Sequence, residues 1–307
     1  MQATTQTTAT SIINASNISN RAMKVHLHRG GTAKRVRDKD AEQLVKSTLG
    51  DEGQIVSREL FKSKTTPLAK YQQIGNEMYA YHVKATLPFG DDGGRLIPTT
   101  AYLDYTTKMQ AYLQQQKDLA IDIIGNWQQL VLADVRDRNN SLYTQGKPQN
   151  ASESDYPTAS QIASKLYVKW YPEPVSTSND FRFEVPDDLK RALDAQLDEY
   201  VAAAGKEVYV RMLDPVSAFV EKCGKYAGEK GQRWHDSFVD NLSCLQTELA
   251  PLNINDDPQV SEFLKKIDDI IRPYALTPSA IKDDPVARSA MRAKFEALEG
   301  ALKGYVL

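Results

Sequence analysis

The sequence predicts a mainly α protein: an elongated helical bundle with a long antiparallel helical hairpin and a small β subdomain. Three observations carry this. From Thr66 onward apolar residues recur mostly at steps of three and four, the helical period. Aspartate and proline fall where those stripes begin, as helix caps do. Alternation of the kind strands show is confined to short stretches near Val25 and Phe183.

At 307 residues the chain is long enough for one large or two smaller cores. An apolar fraction of 41% with 25% charged residues suits an extended bundle, which has more surface per residue than a sphere. The net charge of −2 divides into +4 over residues 1–183 and −6 over 184–307, totals that salt readily screens. Cys223 and Cys244 form no Cys-x-x-Cys pair, so neither a disulfide framework nor a zinc ribbon is indicated. Met1–Asn20 has neither a basic n-region nor an apolar h-region, and no apolar run is long enough to span a membrane. The resulting expectation is a cytoplasmic protein with no membrane association.

Residues 1–22, rich in Thr, Ser, Asn and Gln, read as a disordered polar tail. Residues 23–65 read as a small α/β segment. Met23, Val25 and Leu27 alternate with Lys24, His26 and His28, which makes a half-buried strand ended by Gly30-Gly31. His26 and His28 share a strand face, but no acidic or Cys ligand is near in sequence, so a solvated face is favoured and no metal site is assigned. Lys24, Arg29, Lys34, Arg35 and Arg37 form a basic arm able to follow a nucleic-acid backbone, although it lacks aromatics for stacking on bases. Asp40 then caps a helix that Gly50 ends, and a short ordered piece follows at Ile55–Phe61.

Residues 66–137 are the long helical hairpin. Thr66-Pro67 opens its first arm, with Leu68, Tyr71, Gly75, Met78, His82 and Ala85 in a seam. Gly75 marks a tight crossing, and His82 reads as a hydrogen-bonded core histidine. The second arm starts near Thr99–Thr100, runs about 37 residues or roughly 55 Å, and carries Tyr105, Met109, Tyr112, Gln116, Leu119, Ile123, Trp127 and Leu130. Gln116, the polar member, would select register. Because the first arm is shorter, the tip is expected to project while the base of the long helix docks on the C-terminal half.

Asp91, Asp92, Gly93, Gly94 and Arg95 form that tip and are the candidate partner-binding residues. The missing Lys-Ser/Thr and two aspartates that would repel an anion argue against a phosphate cradle. A calcium loop is excluded by the absence of alternating acidic positions with a distal Glu.

Residues 138–186 read as a polar loop, a short helix with Ile162, Leu166 and Trp170 on one face, extended chain enforced by Pro172 and Pro174, and a strand at Phe181–Val185. That strand would pair near Val25 or Ile55. Residues 187–307 form a C-terminal helical bundle. Its first stripe, Leu189 to Ala204, is interrupted at Gly205, and Asp214-Pro215 is either a kink or, preferably, a new start with Asp as cap and Pro at the first helical position. Further stripes run through Trp234, Phe238, Leu242, Leu245 and Leu249, then from Asp257-Pro258 and from Asp284-Pro285, where aspartates complement the helix dipole. No Gly-x-Ser-x-Gly occurs. A folded Cys223/His235 dyad is the one nucleophile arrangement to weigh, and buried cysteines on helical faces usually serve as apolar filler. No catalytic residue and no cofactor is assigned.

Three stretches together resemble an uncharacterised family of phage and bacterial proteins often encoded beside MoxR-type AAA+ ATPases. They are Gly93-Gly94-Arg95-Leu96-Ile97-Pro98 with the long helix to Trp127, Ser160–Phe183, and the closing helices after Asp257-Pro258 and Asp284-Pro285-Val286-Ala287-Arg288. The resemblance covers residues 24–304 and brings no catalytic residues with it. It implies a phage-encoded or bacterial cytosolic protein, working with such an ATPase or in a phage-specific assembly, and the function expected is that of a non-enzymatic helical interaction or adaptor protein in the host cytoplasm. The alternative is a nucleic-acid-binding protein of phage DNA metabolism using the basic arm. Oligomeric state is not legible.

Overall fold

The computed structural model describes residues 15–31, 35–50, 55, 57–61, 66–146, 150–180, 186–226, 237–274 and 278–306. In chain order the elements are α1 (Ala15–Arg21), β1 (Ala22–Arg29), β2 (Arg35–Arg37), α2 (Lys39–Leu49), β3 (Ser57–Glu59), α3 (Pro67–Ala85), β4 (Leu87–Pro88), β5 (Arg95–Pro98) and α4 (Tyr102–Gly125). They continue with α5 (Trp127–Thr144), α6 (Ala159–Ala163), β6 (Val168–Pro174), α7 (Asp187–Lys225), α8 (Ser237–Ser243), α9 (Leu245–Leu249), α10 (Pro258–Ile271), α11 (Pro278–Asp283) and α12 (Pro285–Val306). The protein is mainly α, with a small four-stranded antiparallel sheet in the order β4-β5-β1-β6 and a separate β2-β3 pair.

The chain forms two compact units interleaved in sequence, rather than the consecutive segments its composition suggests. One comprises residues 1–26, 83–105 and 171–307, and the other residues 27–82 and 106–170. The first is built on α7, whose 39 residues run about 58 Å. Here the structure departs from the expected break at Gly205 and restart at Pro215, because α7 passes through both. Pro215 removes one helical hydrogen bond, at a cost of about 3 kcal/mol. Met212, Val216 and Phe219 around it are fully buried, and each contributes about 1.5–3 kcal/mol, so burial outweighs the break. At Gly205 the missing Cβ lets Asn255 approach, since its Nδ2 lies 2.8 Å from where a Cβ would stand.

Against α7 packs α12, with Phe219 and Phe295 edge to face at 5.0 Å. The α12 stripe buries Met291, Phe295, Leu298 and Leu302, as its spacing predicts. Asp257 and Asp284 cap α10 and α12 by accepting backbone N–H bonds, also as predicted. Arg288 is buried where the stripe shows a charge: it donates to the carbonyls of Ile281 and Lys282 at the end of α11 and lies over the Tyr226 ring. The stripe through Leu242, Leu245 and Leu249 is buried but broken between α8 and α9 at Cys244, and Trp234 lies outside the described residues.

Two further expectations are corrected in this unit. The polar tail is not disordered throughout: α1 buries Ile18 completely in the same core, while residues 1–14 lie outside the described residues. The glycine-rich tip does not project. Leu87, Phe89 and Leu96 flank the turn and are buried among the α7 residues, and Arg211 of α7 donates to the carbonyls of Lys84 and Thr86. Three buried apolar side chains outweigh what solvation of a short turn could return. β5 then pairs with β1, Ala22 opposite Pro98 and Val25 opposite Arg95. The expected pairing strand at Phe181–Val185 lies outside the described residues, and β1 has β5 and β6 as neighbours.

The second unit centres on Phe61, Trp127, Tyr156, Ile123 and Ile162. The antiparallel approach of α3 and α4 is present: Gln116 Nε2 donates to the Tyr71 carbonyl at 2.5 Å, and Tyr81 meets Tyr112 at 6.2 Å. Gly75 is a close crossing, though of side chains and not of another backbone. Arg29 donates to its carbonyl, and a Cβ there would stand 3.3 Å from the guanidinium and 3.5 Å from Gln116. His82 is buried, as its place in the seam predicts. The long helix breaks after Gly125, where the Asn126 side chain turns back to the Asp122 carbonyl and carboxylate, and α5 runs on to Thr144. Asp38 caps α2 two residues earlier than Asp40 would, with its side chain accepting from Ala41 N. Helix α6 stops at Ala163, so Trp170 belongs to β6 and not to a helical face.

Candidate functional site

One face of the four-stranded sheet gathers a group of charged and titratable side chains. Period-two alternation puts Lys24 and His26 of β1 on the same side. β6 brings Tyr171 and Glu173, held extended by Pro172 and Pro174. The β4-β5 turn supplies Asp92. Gly90 and Gly93 take positive φ of 71° and 78° there, and the Asp92 carboxylate accepts the Gly94 N–H at 3.0 Å. Gly94 is buried for a definite reason: a Cβ would fall 2.2 Å from Lys24 Cε and 3.1 Å from His26 Cε1.

The distances define a network. Lys24 Nζ lies 2.5 Å from Asp92 Oδ2 and 2.9 Å from Glu173 Oε1, and His26 Nε2 lies 3.1 Å from the same Glu173 oxygen. The His26 ring is buried and stacks on Tyr171 at 4.9 Å, with 15° between planes. Hydrogen bonding to Lys24 holds the Asp92 carboxyl below its ordinary range, and bonds from Lys24 and His26 do the same for Glu173. Burial works against the Lys24 ammonium, but its bonds to Asp92 and Glu173 prevail and raise its pKa. At neutral pH the carboxylates are therefore ionised and the lysine is charged. The group forms an anchored ion-pair cluster. His26, Asp92 and Glu173 also bring three ligand atoms within 4.8 Å of one another.

The candidate partner-binding residues divide in two. Asp91, Asp92 and Gly93 are exposed, while Gly94 is buried. Arg95 is committed inward, donating to Thr86 Oγ1 and to the carbonyls of Val83 and Thr86 at the end of α3. In the basic arm Lys24 belongs to the cluster, Arg29 holds the Gly75 carbonyl and lies 4.8 Å from the Tyr79 ring centre, and Arg35 and Arg37 sit on β2. Lys34 lies outside the described residues. His26 is not on a solvated face as the strand alternation suggests, although its neighbour His28 is exposed. The Cys223 thiol is buried in the α7 core, which pushes its pKa up to about 11, and His235 lies outside the described residues. An unreactive apolar filler fits that environment.

Glu173 and Tyr171 are the site residues that sequence reasoning misses. Their one signal is the Pro-Glu-Pro spacing that forces extended chain. Nothing local connects residue 173 to residues 26 or 92. Comparison with known protein families, curated proteins and solved structures finds no match to this chain.

Proposed function

We propose that this chain is a non-enzymatic helical interaction protein that contacts a protein partner through the turn at Asp91–Gly93. The supporting observation is the contrast within the β4-β5 hairpin. Its flanks are fixed by buried Leu87, Phe89 and Leu96, while Asp91, Asp92 and Gly93 are exposed. A loop fixed at its base binds without a large ordering cost. A MoxR-type AAA+ ATPase is the first candidate partner, on the family resemblance of Gly93–Pro98 and the closing helices, and a phage origin goes with it. The nucleic-acid alternative has less support, because Lys24 and Arg29 are already engaged within the chain.

Asp91→Lys tests this reading, since it reverses an exposed charge and leaves the cluster residues in place. Affinity capture from a phage-infected host lysate should lose the main partner with the variant while its thermal melting stays that of the native chain. Full recovery of the partner by Asp91→Lys rules the turn out.

A further inference from the structure

We propose that His26, Asp92 and Glu173 form a binding site for a divalent transition-metal ion of zinc's class, which competes with the Lys24 ammonium for the same position. Three separate elements supply the ligands: β1, the β4-β5 turn and β6. The ligand atoms already lie within 4.8 Å of one another. A tetrahedral zinc site, with bonds of roughly 2.0–2.2 Å to N and O, requires them roughly 3.4 Å apart. The two carboxylate side chains are 55% and 41% exposed, so both can close that gap by rotation and the site is open to an entering ion.

His26 is the fixed member. It is 5% exposed, and its ring orientation is set by stacking on Tyr171. An imidazole with two carboxylates is a mixed N,O,O set, which favours zinc and its neighbours over magnesium or calcium.

A second observation is the place of Lys24. Its ammonium already sits at hydrogen-bond distance from both carboxylates, so the site is built around a cation. The two carboxylates and one ammonium together carry a net charge of −1. A divalent ion in place of the ammonium brings the ligand set to zero. The Lys24 stem is flexible, and its displacement frees the carboxylate oxygens without moving a strand. This inference stands apart from the partner reading, because Asp91 is no ligand and its substitution leaves the ion bound.

The test is competition for Zn²⁺ between a chromophoric chelator and the full chain, stripped of metal beforehand, at neutral pH. The native chain is expected to bind one ion. His26→Gln should weaken binding by about 100-fold or more, at least the loss seen when a ligand's outer support is removed. Lys24→Met should tighten it by roughly tenfold or more, because a competing positive charge within a few ångströms is gone. That gain is not available to a misfolded protein, which guards the test against simple loss of structure. Absence of Zn²⁺ binding by both the native chain and Lys24→Met overturns the proposal. So does binding that survives His26→Gln, or that is lost only when the exposed His28 or Cys244 is replaced.

Discussion

The two units hold their cores by different means. In the unit built on α7, the interior is a continuous set of aliphatic and aromatic side chains from Ile18, the hairpin and the C-terminal helices. In the other unit the core is smaller and its aromatic groups are pinned by polar partners. Trp127 Nε1 donates to the Pro157 carbonyl at 2.9 Å, and the Tyr156 hydroxyl donates to Asp134 at 2.5 Å while Arg138 donates to it. Burial and the bond to Asp134 push Tyr156 up to about 12. Asp134 also accepts the Phe61 N–H at 3.0 Å, which holds Phe61 at a positive φ of 51° that bulky residues rarely adopt. The contrast is one of degree: the α7 unit has polar ties too, Tyr209 to Asp257 and Arg288 to the end of α11, but they sit within a much larger apolar core, and this has direct consequences for mutation.

Phe219→Ala should show the largest effect. Phe219 is fully buried against Phe295, and truncation should cost about 3–5 kcal/mol in urea unfolding. A loss below about 1 kcal/mol would place the main support of that unit elsewhere. Next comes Asp134→Ala in the second unit, which strips two donors of their acceptor and should cost about 1–3 kcal/mol. The same change should lower the apparent pKa of Tyr156 in a spectrophotometric titration, as the neighbouring carboxylate that disfavours tyrosinate is gone. An unchanged tyrosine titration would break the distinction drawn between the cores.

The smallest effect concerns pH. Asp92 and Glu173 have depressed folded-state pKa values, so their contribution is fully present above the ordinary values of 3.8 and 4.5 and is lost as pH falls through the lowered ones. Lys24→Met should therefore be less stable than the native chain at neutral pH and converge with it in acid. Because both carboxylates are well exposed, solvent screening keeps the difference small. A gap that persists in strong acid would show that Lys24 acts through packing of its stem.

Much of this architecture is legible in local sequence. Helix caps at Thr66-Pro67, Asp257-Pro258 and Asp284-Pro285 announce themselves because capping acts within three residues. The apolar stripes, buried Gln116 and buried His82 follow from the helical period. What escapes is whatever is decided at long range. Pro215 reads as a start because its local cost is visible and the burial of Met212, Val216 and Phe219 that offsets it is not. The tip at Asp91–Gly94 reads as a projection because helix lengths carry no information on where Leu87 and Leu96 find a core. The Lys24, His26, Asp92 and Glu173 cluster is invisible for the same reason: its members meet only once β1, the turn and β6 share a sheet.

The docked hairpin is the claim on which both functional readings lean, since it fixes the turn and delivers Asp92 to the cluster. Hydrogen–deuterium exchange of the full chain tests it most directly. The account predicts that amides of Leu96 and Ile97 exchange slowly, in step with the buried middle of α7 around Val208–Val216. Rapid exchange of Leu96 and Ile97 while the α7 amides stay protected would contradict it and restore a projecting arm.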